Sequence, residues 1–187
     1  MQRELVLRAQ TGDLDAFSAL TSRMTTRLYA VASLILRDQD RAADAVQDAL
    51  LSAWQEIRAL RDPDRFEPWL HRLLVRKCYR AARRNRARLV VEIDVSAAGE
   101  VGAHLPDTQL AVAQRDQLDR GFARLSTEHR TVLVLVHYLG LSLNETAELV
   151  GVPLGTIQSR LNRARRTMRA ALEADERLAR LSVEGAR

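Results

Sequence analysis

The stretch from Leu141 to Met168 constrains the fold more than any other, because its punctuation residues each call for a helix boundary at a set place. Ser142 and Glu145 stand at capping-box spacing, so hydroxyl and carboxylate can each satisfy an amide orphaned at a helix start. Ala147 and Val150 then face inward, Gly151 supplies the left-handed residue that ends the helix, and Pro153 suits the opening of the next. So tight a turn crosses the two helices steeply, as in a helix-turn-helix. At helical pitch Ile157, Leu161, Ala164 and Met168 share one side of the second helix, with Thr156, Ser159, Asn162, Arg163 and Arg166 on the other. No Asp or Glu occurs between Glu148 and Glu173, while Arg160, Arg163, Arg165, Arg166 and Arg169 do. That is the electrostatic footprint of a surface for DNA phosphate. An ordinary helical hairpin with a solvated arginine face has the same local pattern, so the rest of the chain must decide.

The remaining composition points the same way. With 187 residues, 47% of them hydrophobic, there is enough apolar material for one domain or two small ones. Aromatics are only 4%, and the β-branched alternation of a barrel or sandwich is missing, so the expected class is all-α. A net charge of +5 with 24 acidic residues means that positive charge is local, and its placement matters more than its sum. Cys78 is the only cysteine, which excludes an intrachain disulfide and fits a cytoplasmic location. No apolar run has the length of a signal peptide or membrane span, so no membrane insertion is expected.

In the first half, Gly12 and Asp13 punctuate the chain before Phe17, Leu20, Met24, Leu28, Val31 and Ile35 recur at three- and four-residue steps. Asp38 to Asp40 can break and recap the backbone, and Ala43, Val46, Leu50, Ala53 and Ile57 repeat the periodicity in a second helix. Its other face carries Asp44, Gln47 and Asp48, suited to water or to a basic partner helix. Arg61 to Asp64 reads as a turn, and Pro68 fits the first turn of a third helix that buries Leu70, Leu73 and Leu74. Three packed helices are expected for this domain. From Glu67 to Glu92 there is again no acid, while Arg72, Arg76, Lys77, Arg80, Arg83, Arg84, Arg86 and Arg88 follow one another. Phe66, Trp69 and Tyr79 lie in or beside this run, so cations for phosphate and flat rings for unstacked bases sit together. Phe66 and Trp69 serve equally well as core residues, which leaves both readings open.

Between Leu89 and Ala111 the helical pattern fails as Ser96, Gly99, Gly102 and Pro106 accumulate and acids replace arginines. The stretch is too long for a routine loop, so it divides the chain into two small helical domains, 1–88 and 113–187, joined by a flexible linker over 89–112. Val112 to Leu125 reads as a helix, Ser126 caps another that buries Val132 to Val136, and Gly140 ends it. After Met168 the last helix can run on through Leu172, while the last residues lose a clear apolar stripe and are expected to fray.

With both halves in view, the sequence resembles the extracytoplasmic-function sigma factors of bacterial RNA polymerase, two-domain members of the sigma-70 family. Asp40-Arg41-Ala42-Ala43-Asp44-Ala45-Val46-Gln47-Asp48-Ala49-Leu50, followed by Ala53-Trp54, is similar to the family's polymerase-docking helix. Phe66-Glu67-Pro68-Trp69-Leu70-His71-Arg72-Leu73 and the arginines after it resemble its strand-opening segment for the -10 element. Gly140-Leu141-Ser142 through Ala147-Glu148, then Gly151-Val152-Pro153-Leu154-Gly155-Thr156-Ile157-Gln158-Ser159-Arg160-Leu161, resemble its -35 reader. The chain departs from the family pattern at Arg80, where an acid is common, and at Gln158, where a basic residue is.

The resemblance implies that Asp44, Gln47 and Asp48 contact core RNA polymerase. It implies -10 promoter DNA on Phe66, Trp69, Arg72, Arg76, Lys77, Arg80, Arg83 and Arg84, and -35 DNA on Thr156, Gln158, Ser159, Arg160, Asn162, Arg163 and Arg166. It also implies an acidic linker in the polymerase's RNA exit path, an anti-sigma factor as a further partner, and a monomer when free. A stand-alone helix-turn-helix regulator is the competing class, but it accounts for the second half only and would be expected to dimerise on a palindrome. An enzyme is disfavoured. His71, His104, His129 and His137 lack metal-ligand spacing, Cys78 has no evident catalytic partner, and no phosphate-binding glycine loop occurs, so no cofactor or metal is expected.

Overall fold

A computed structural model of the chain describes residues 2–89 and 117–184, in which the regular structure is helical throughout. The expected linker over 89–112 lies almost wholly outside the described residues, as does the start of the helix read from Val112. The chain divides into two compact units.

The first unit has four helices rather than three: α1 (Gln2–Gln10), α2 (Leu14–Leu36), α3 (Gln39–Glu56) and α4 (Phe66–Leu89). Asp13 and Asp38 start α2 and α3 in the way their position suggests, each accepting a backbone amide with its carboxylate, from Ala16 and Arg41, at 2.9 Å. Between α2 and α3 the backbone reverses at Arg37, which takes a left-handed φ of 55°. The helix that periodicity did not announce, α1, buries only Val6 and Ala9, too few for a visible stripe. It is held by polar tertiary contacts instead. Gln10 donates to the carbonyls of Ile57 and Leu60 at 3.0 and 2.7 Å, and Arg3 meets Asp64 at 2.6 Å.

The core between α2, α3 and α4 is lined by Leu28, Val31, Ile35, Ala42, Ala49, Ala53, Leu70 and Leu74. On α3 the buried strip is Ala42, Ala45, Val46, Ala49 and Ala53, so the expected Ala43 is exposed and Leu50 only half-buried. Small side chains there let neighbouring helices approach closely, and the larger residues are supplied by α2 and α4. Cys78 is fully buried in α4 and burial pushes its thiol up to about 12, which makes it a packing residue rather than a nucleophile.

The second unit comprises helical residues 117–123, here α5, then α6 (Thr127–Leu133), α7 (Leu143–Val150) and α8 (Leu154–Glu184). Ser126 caps α6 through His129 N–H at 3.3 Å. The chain then runs through a wider turn over Val134–Tyr138 and stops at Gly140, whose φ is 72°. The Ser142–Glu145 box forms with both bonds in place: Ser142 N–H to the Glu145 carboxylate at 2.8 Å and Glu145 N–H to Ser142 Oγ at 3.2 Å. Gly151 takes a φ of 76°, a position open to glycine and strained for other residues. Pro153 precedes α8 and lends its carbonyl to the amides of Thr156 and Ile157, so it sits one place earlier than an N1 proline.

The apolar side of α8 is as its phase requires, with Ile157, Leu161 and Ala164 buried and Met168 half-buried against Gly121 of α5. Beyond Leu172 α8 continues to Glu184, and the expected fraying of the last residues falls partly outside the described residues. Ala171 is buried, and Asp175, its carboxylate largely covered, pairs with Arg120 and Arg124 at 2.7 and 3.7 Å. Those partners lie about fifty positions upstream, where no local periodicity can show them.

The core, the capping box and buried His71 each set an expected stability effect. Ile157→Ala should cost about 2–5 kcal/mol in a denaturant titration followed by circular dichroism, whereas Ser142→Ala should cost about 1 kcal/mol. His71 is 4% exposed, with Nδ1 3.0 Å from the Glu67 carbonyl and Nε2 enclosed without a partner, and burial lowers its proton affinity below the ordinary 6.5. A histidine kept neutral by folding contributes stability that is complete above 6.5 and is lost as pH falls through its lowered folded value. Both tryptophans, Trp54 and Trp69, belong to the first unit, so its fluorescence melting temperature should fall on acidification, and His71→Leu should flatten that fall.

Candidate nucleic-acid and docking interfaces

Three surfaces stand out once the apolar sides are accounted for. The first is on α3, where Asp44, Gln47 and Asp48 are all exposed on the side away from Ala45, Ala49 and Ala53. Beside Gln47 lies an open apolar groove of about 760 Å³ between α2 and α3, lined by Leu14, Phe17, Tyr29, Val46, Leu51 and Trp54 among others. Phe17 and Trp54 meet edge to face across it at 5.2 Å between ring centroids, while Leu14 and Leu51 are 62% and 55% exposed. Sequence reading found the acidic edge of this surface and missed its apolar floor. An exposed Leu on an amphipathic helix carries no signal by itself, and only the packing of α2 on α3 brings Leu14 and Leu51 to one groove.

The second surface is the outer face of α4. Trp69, Arg72, Arg76, Arg80 and Arg83 recur at steps of three and four and so share one face, opposite buried Leu70, Leu74 and Cys78. Arg76, Arg80, Arg83 and Arg84 are exposed, and Lys77 is half-buried on the flank. Arg72 is half-buried too, with Nε enclosed and unbonded. Trp69 is half-buried and presents part of its indole on this face.

Phe66 is a correction. It is fully buried, its ring 5.8 Å from that of Trp69, so it backs the tryptophan from inside and offers no surface to a base. At the start of α4 its position falls on the buried side, whereas Trp69, three residues on, falls at the edge. Among the described residues none of these α4 cations lies within ion-pairing distance of an acid, although Arg27 and Glu67 pair at 3.1 Å just before them.

The third surface is α8, where Gln158, Ser159, Asn162, Arg163 and Arg166 are exposed and Thr156 and Arg160 are half-buried. Ser159 Oγ donates back to the Thr156 carbonyl at 3.0 Å, leaving its lone pairs outward. Arg165, absent from the sequence-derived set, reaches His137 with 3.3 Å between Nη2 and Nε2. Asn162, Arg165, Arg166 and Arg169 together line a cleft of about 470 Å³. Again the described arginines from Arg160 to Arg169 have no ion pair, whereas Arg120, Arg124 and Arg177 of the same unit do. The geometry is that of two cationic helix faces, one with an aromatic at its edge, and one acidic face with an apolar groove. Among the described residues no group of three or more His, Cys, Asp or Glu side chains is placed to hold a metal ion, and no helix is long and apolar enough to cross a membrane.

This arrangement makes a prediction that separates the two rings. Phe66→Ala should cost about 3–5 kcal/mol of first-unit stability, with Trp69→Ala costing distinctly less. Chemical denaturation followed by circular dichroism measures both, and equal losses would mean that Trp69 is as much a core residue as Phe66.

Comparison with known proteins gives matches over both units. The family descriptions Sigma-70 region 2 and Sigma-70, region 4 match residues 20–88 and 115–168. The sigma factor SigM of Mycobacterium tuberculosis is 35% identical over 163 residues, covering 87% of this chain and 80% of SigM. The sigma factor CnrH of Cupriavidus metallidurans is 32% identical over 182 residues, covering 92% and 95%. Among solved structures, CnrH in complex with the cytosolic domain of CnrY superposes with a TM-score of 0.65 at 27% identity, over 93% of this chain and 98% of CnrH. RpoE from Bartonella quintana in complex with the anti-sigma factor NepR gives 0.68 at 26%, over 87% and 99%.

Proposed function

Because the chain belongs to the extracytoplasmic-function sigma factors of the sigma-70 family, we propose that its three surfaces divide the work of promoter recognition among them. It directs core RNA polymerase to promoters, and the division assigned here is that α3 docks on polymerase, α4 holds the opened -10 strand, and α8 reads the -35 duplex. The observation that carries this reading is the segregation of charge: among the described residues the outer-face arginines of α4 and those from Arg160 to Arg169 on α8 make no ion pair, while Asp44 and Asp48 stand exposed on α3.

Docking combines two chemistries. Asp44, Gln47 and Asp48 offer acceptors to a basic helix, and the groove with Leu14, Leu51 and Trp54 gives the same partner an apolar seat. On α4, Trp69 stacks on an unpaired base while Arg76, Arg80, Arg83 and Arg84 hold the strand by its phosphates, with Lys77 at the flank and Arg72 nearest the core. On α8, Thr156, Gln158, Ser159 and Asn162 face base edges, and Arg160, Arg163 and Arg166 serve bases or the adjoining backbone. Polymerase supplies the chemistry, so the chain acts as a binding subunit rather than an enzyme, in the cytoplasm. The NepR complex of RpoE supports a further partner of the anti-sigma kind for this chain.

Run-off transcription with purified core polymerase on a promoter library tests the whole reading, because a stand-alone regulator would yield no transcript of its own. Within it, Asp48→Arg should lower affinity for core polymerase at least about tenfold, equivalent to about 1.4 kcal/mol, with circular dichroism unchanged. Unaltered affinity in a folded variant would remove α3 from the docking surface.

A further inference from the structure

The helix that supports α8 also carries a titratable group at the edge of its cationic face. His129 lies in the first turn of α6, half-buried, its backbone fixed by the bond to Ser126 Oγ. α6 packs against α8, and His129 shares a side of α6 with buried Val132 and Leu133, while Arg160 and Arg163 lie one turn apart on α8 between buried Ile157, Leu161 and Ala164 and exposed Ser159 and Arg166. The charged groups facing it are Arg163 and Arg160 from α8 and Glu128 from α6 itself. Neither arginine is ion-paired among the described residues. Two guanidinium groups and an imidazole thus flank one edge of the surface assigned to duplex DNA, with Glu128 as the neighbouring acid on α6.

We propose that His129, Arg160 and Arg163 form one site for a backbone phosphate of duplex DNA, and that the imidazole takes up a proton from solvent as the phosphate enters. The proposal rests on the assignment of α8 to DNA and adds to it a residue from a different helix. Its physical logic is linkage. In the free protein, burial first and the Arg163 charge second lower the proton affinity of His129 below the ordinary histidine value, which favours the neutral ring. A phosphate beside the ring favours the imidazolium, so binding and protonation strengthen each other, and DNA affinity rises as pH falls. Since a phosphate contact is independent of sequence, a probe of any sequence reports it.

The experiment uses the full chain with a short fluorescein-labelled duplex of random sequence, titrated by anisotropy over a range of salt at about pH 6 and about pH 8. For the wild-type chain, the slope of log affinity against log salt should be steeper at the lower pH by about one, the release of one further counterion. His129→Gln should give the same slope at both pH values with its circular dichroism melt unchanged, and His137→Gln should keep the wild-type difference. Retention of the difference by folded His129→Gln, or its absence from the wild-type chain, overturns the phosphate site but leaves α8 as a DNA-binding surface. Failure of the wild-type chain to bind the duplex at either pH overturns both.

Discussion

The DNA-binding role proposed for α4 and α8 depends on keeping certain arginines away from carboxylates. Arg3, Arg8, Arg27, Arg41 and Arg65 of the first unit each lie within 4.0 Å of an acid, and so do Arg120, Arg124 and Arg177 of the second. Most of these pairs are exposed and contribute about 0–1 kcal/mol each, so they do not hold the fold together. Among the described residues, none of these pairs falls on the arginine faces of α4 and α8, and that matters more. A guanidinium already paired gains little from a phosphate, whereas an unpaired one carries a counterion that phosphate releases. Like charges one turn apart cost a helix a few tenths of a kcal/mol each, and burial of Leu70, Leu74 and Cys78 in α4, and of Ile157, Leu161 and Ala164 in α8, offsets that cost.

Helix phase is the second condition, since an amphipathic helix started one residue late would turn its arginines toward the core. Caps provide the start points. Asp13, Asp38, Ser126 and the Ser142–Glu145 pair each accept a first-turn amide, and each stands where the following apolar stripe needs it. Gly140 and Gly151 stop their segments in left-handed conformations, so α7 is confined to the eight residues Leu143–Val150. A short α7 is set between two fixed turns, and α8 follows with Gln158, Ser159, Asn162, Arg163 and Arg166 exposed.

The same logic distinguishes surfaces that composition alone would merge. Phe66 and Trp69 are both aromatic, three residues apart and adjacent to arginines, yet one is sealed in the core and the other stands at its edge. On α3 the alanines at 42, 45, 49 and 53 bring the helix close to its neighbours and leave Asp44, Gln47 and Asp48 outward. Close packing of small residues is also what leaves the larger Leu51 and Trp54 at the groove with α2.

The helical class, the caps, the glycine stops and the sides of α4 and α8 were legible in the amino-acid order, because each rests on contacts within about four residues along the chain. The same holds for exposed Asp44, Gln47 and Asp48, which follow from the phase of α3. Tertiary structure decided what depends on residues distant in sequence. It added α1, held through Gln10 to the carbonyls of Ile57 and Leu60, and it carried α8 past Leu172 to Glu184, with Asp175 meeting Arg120 and Arg124. It also closed Phe66 into the core and gathered Leu14, Leu51 and Trp54 into one groove. Local periodicity records which way a side chain points from its own helix axis. Whether another helix arrives to cover that side chain is settled only when segments far apart in the chain compete for the same apolar surface.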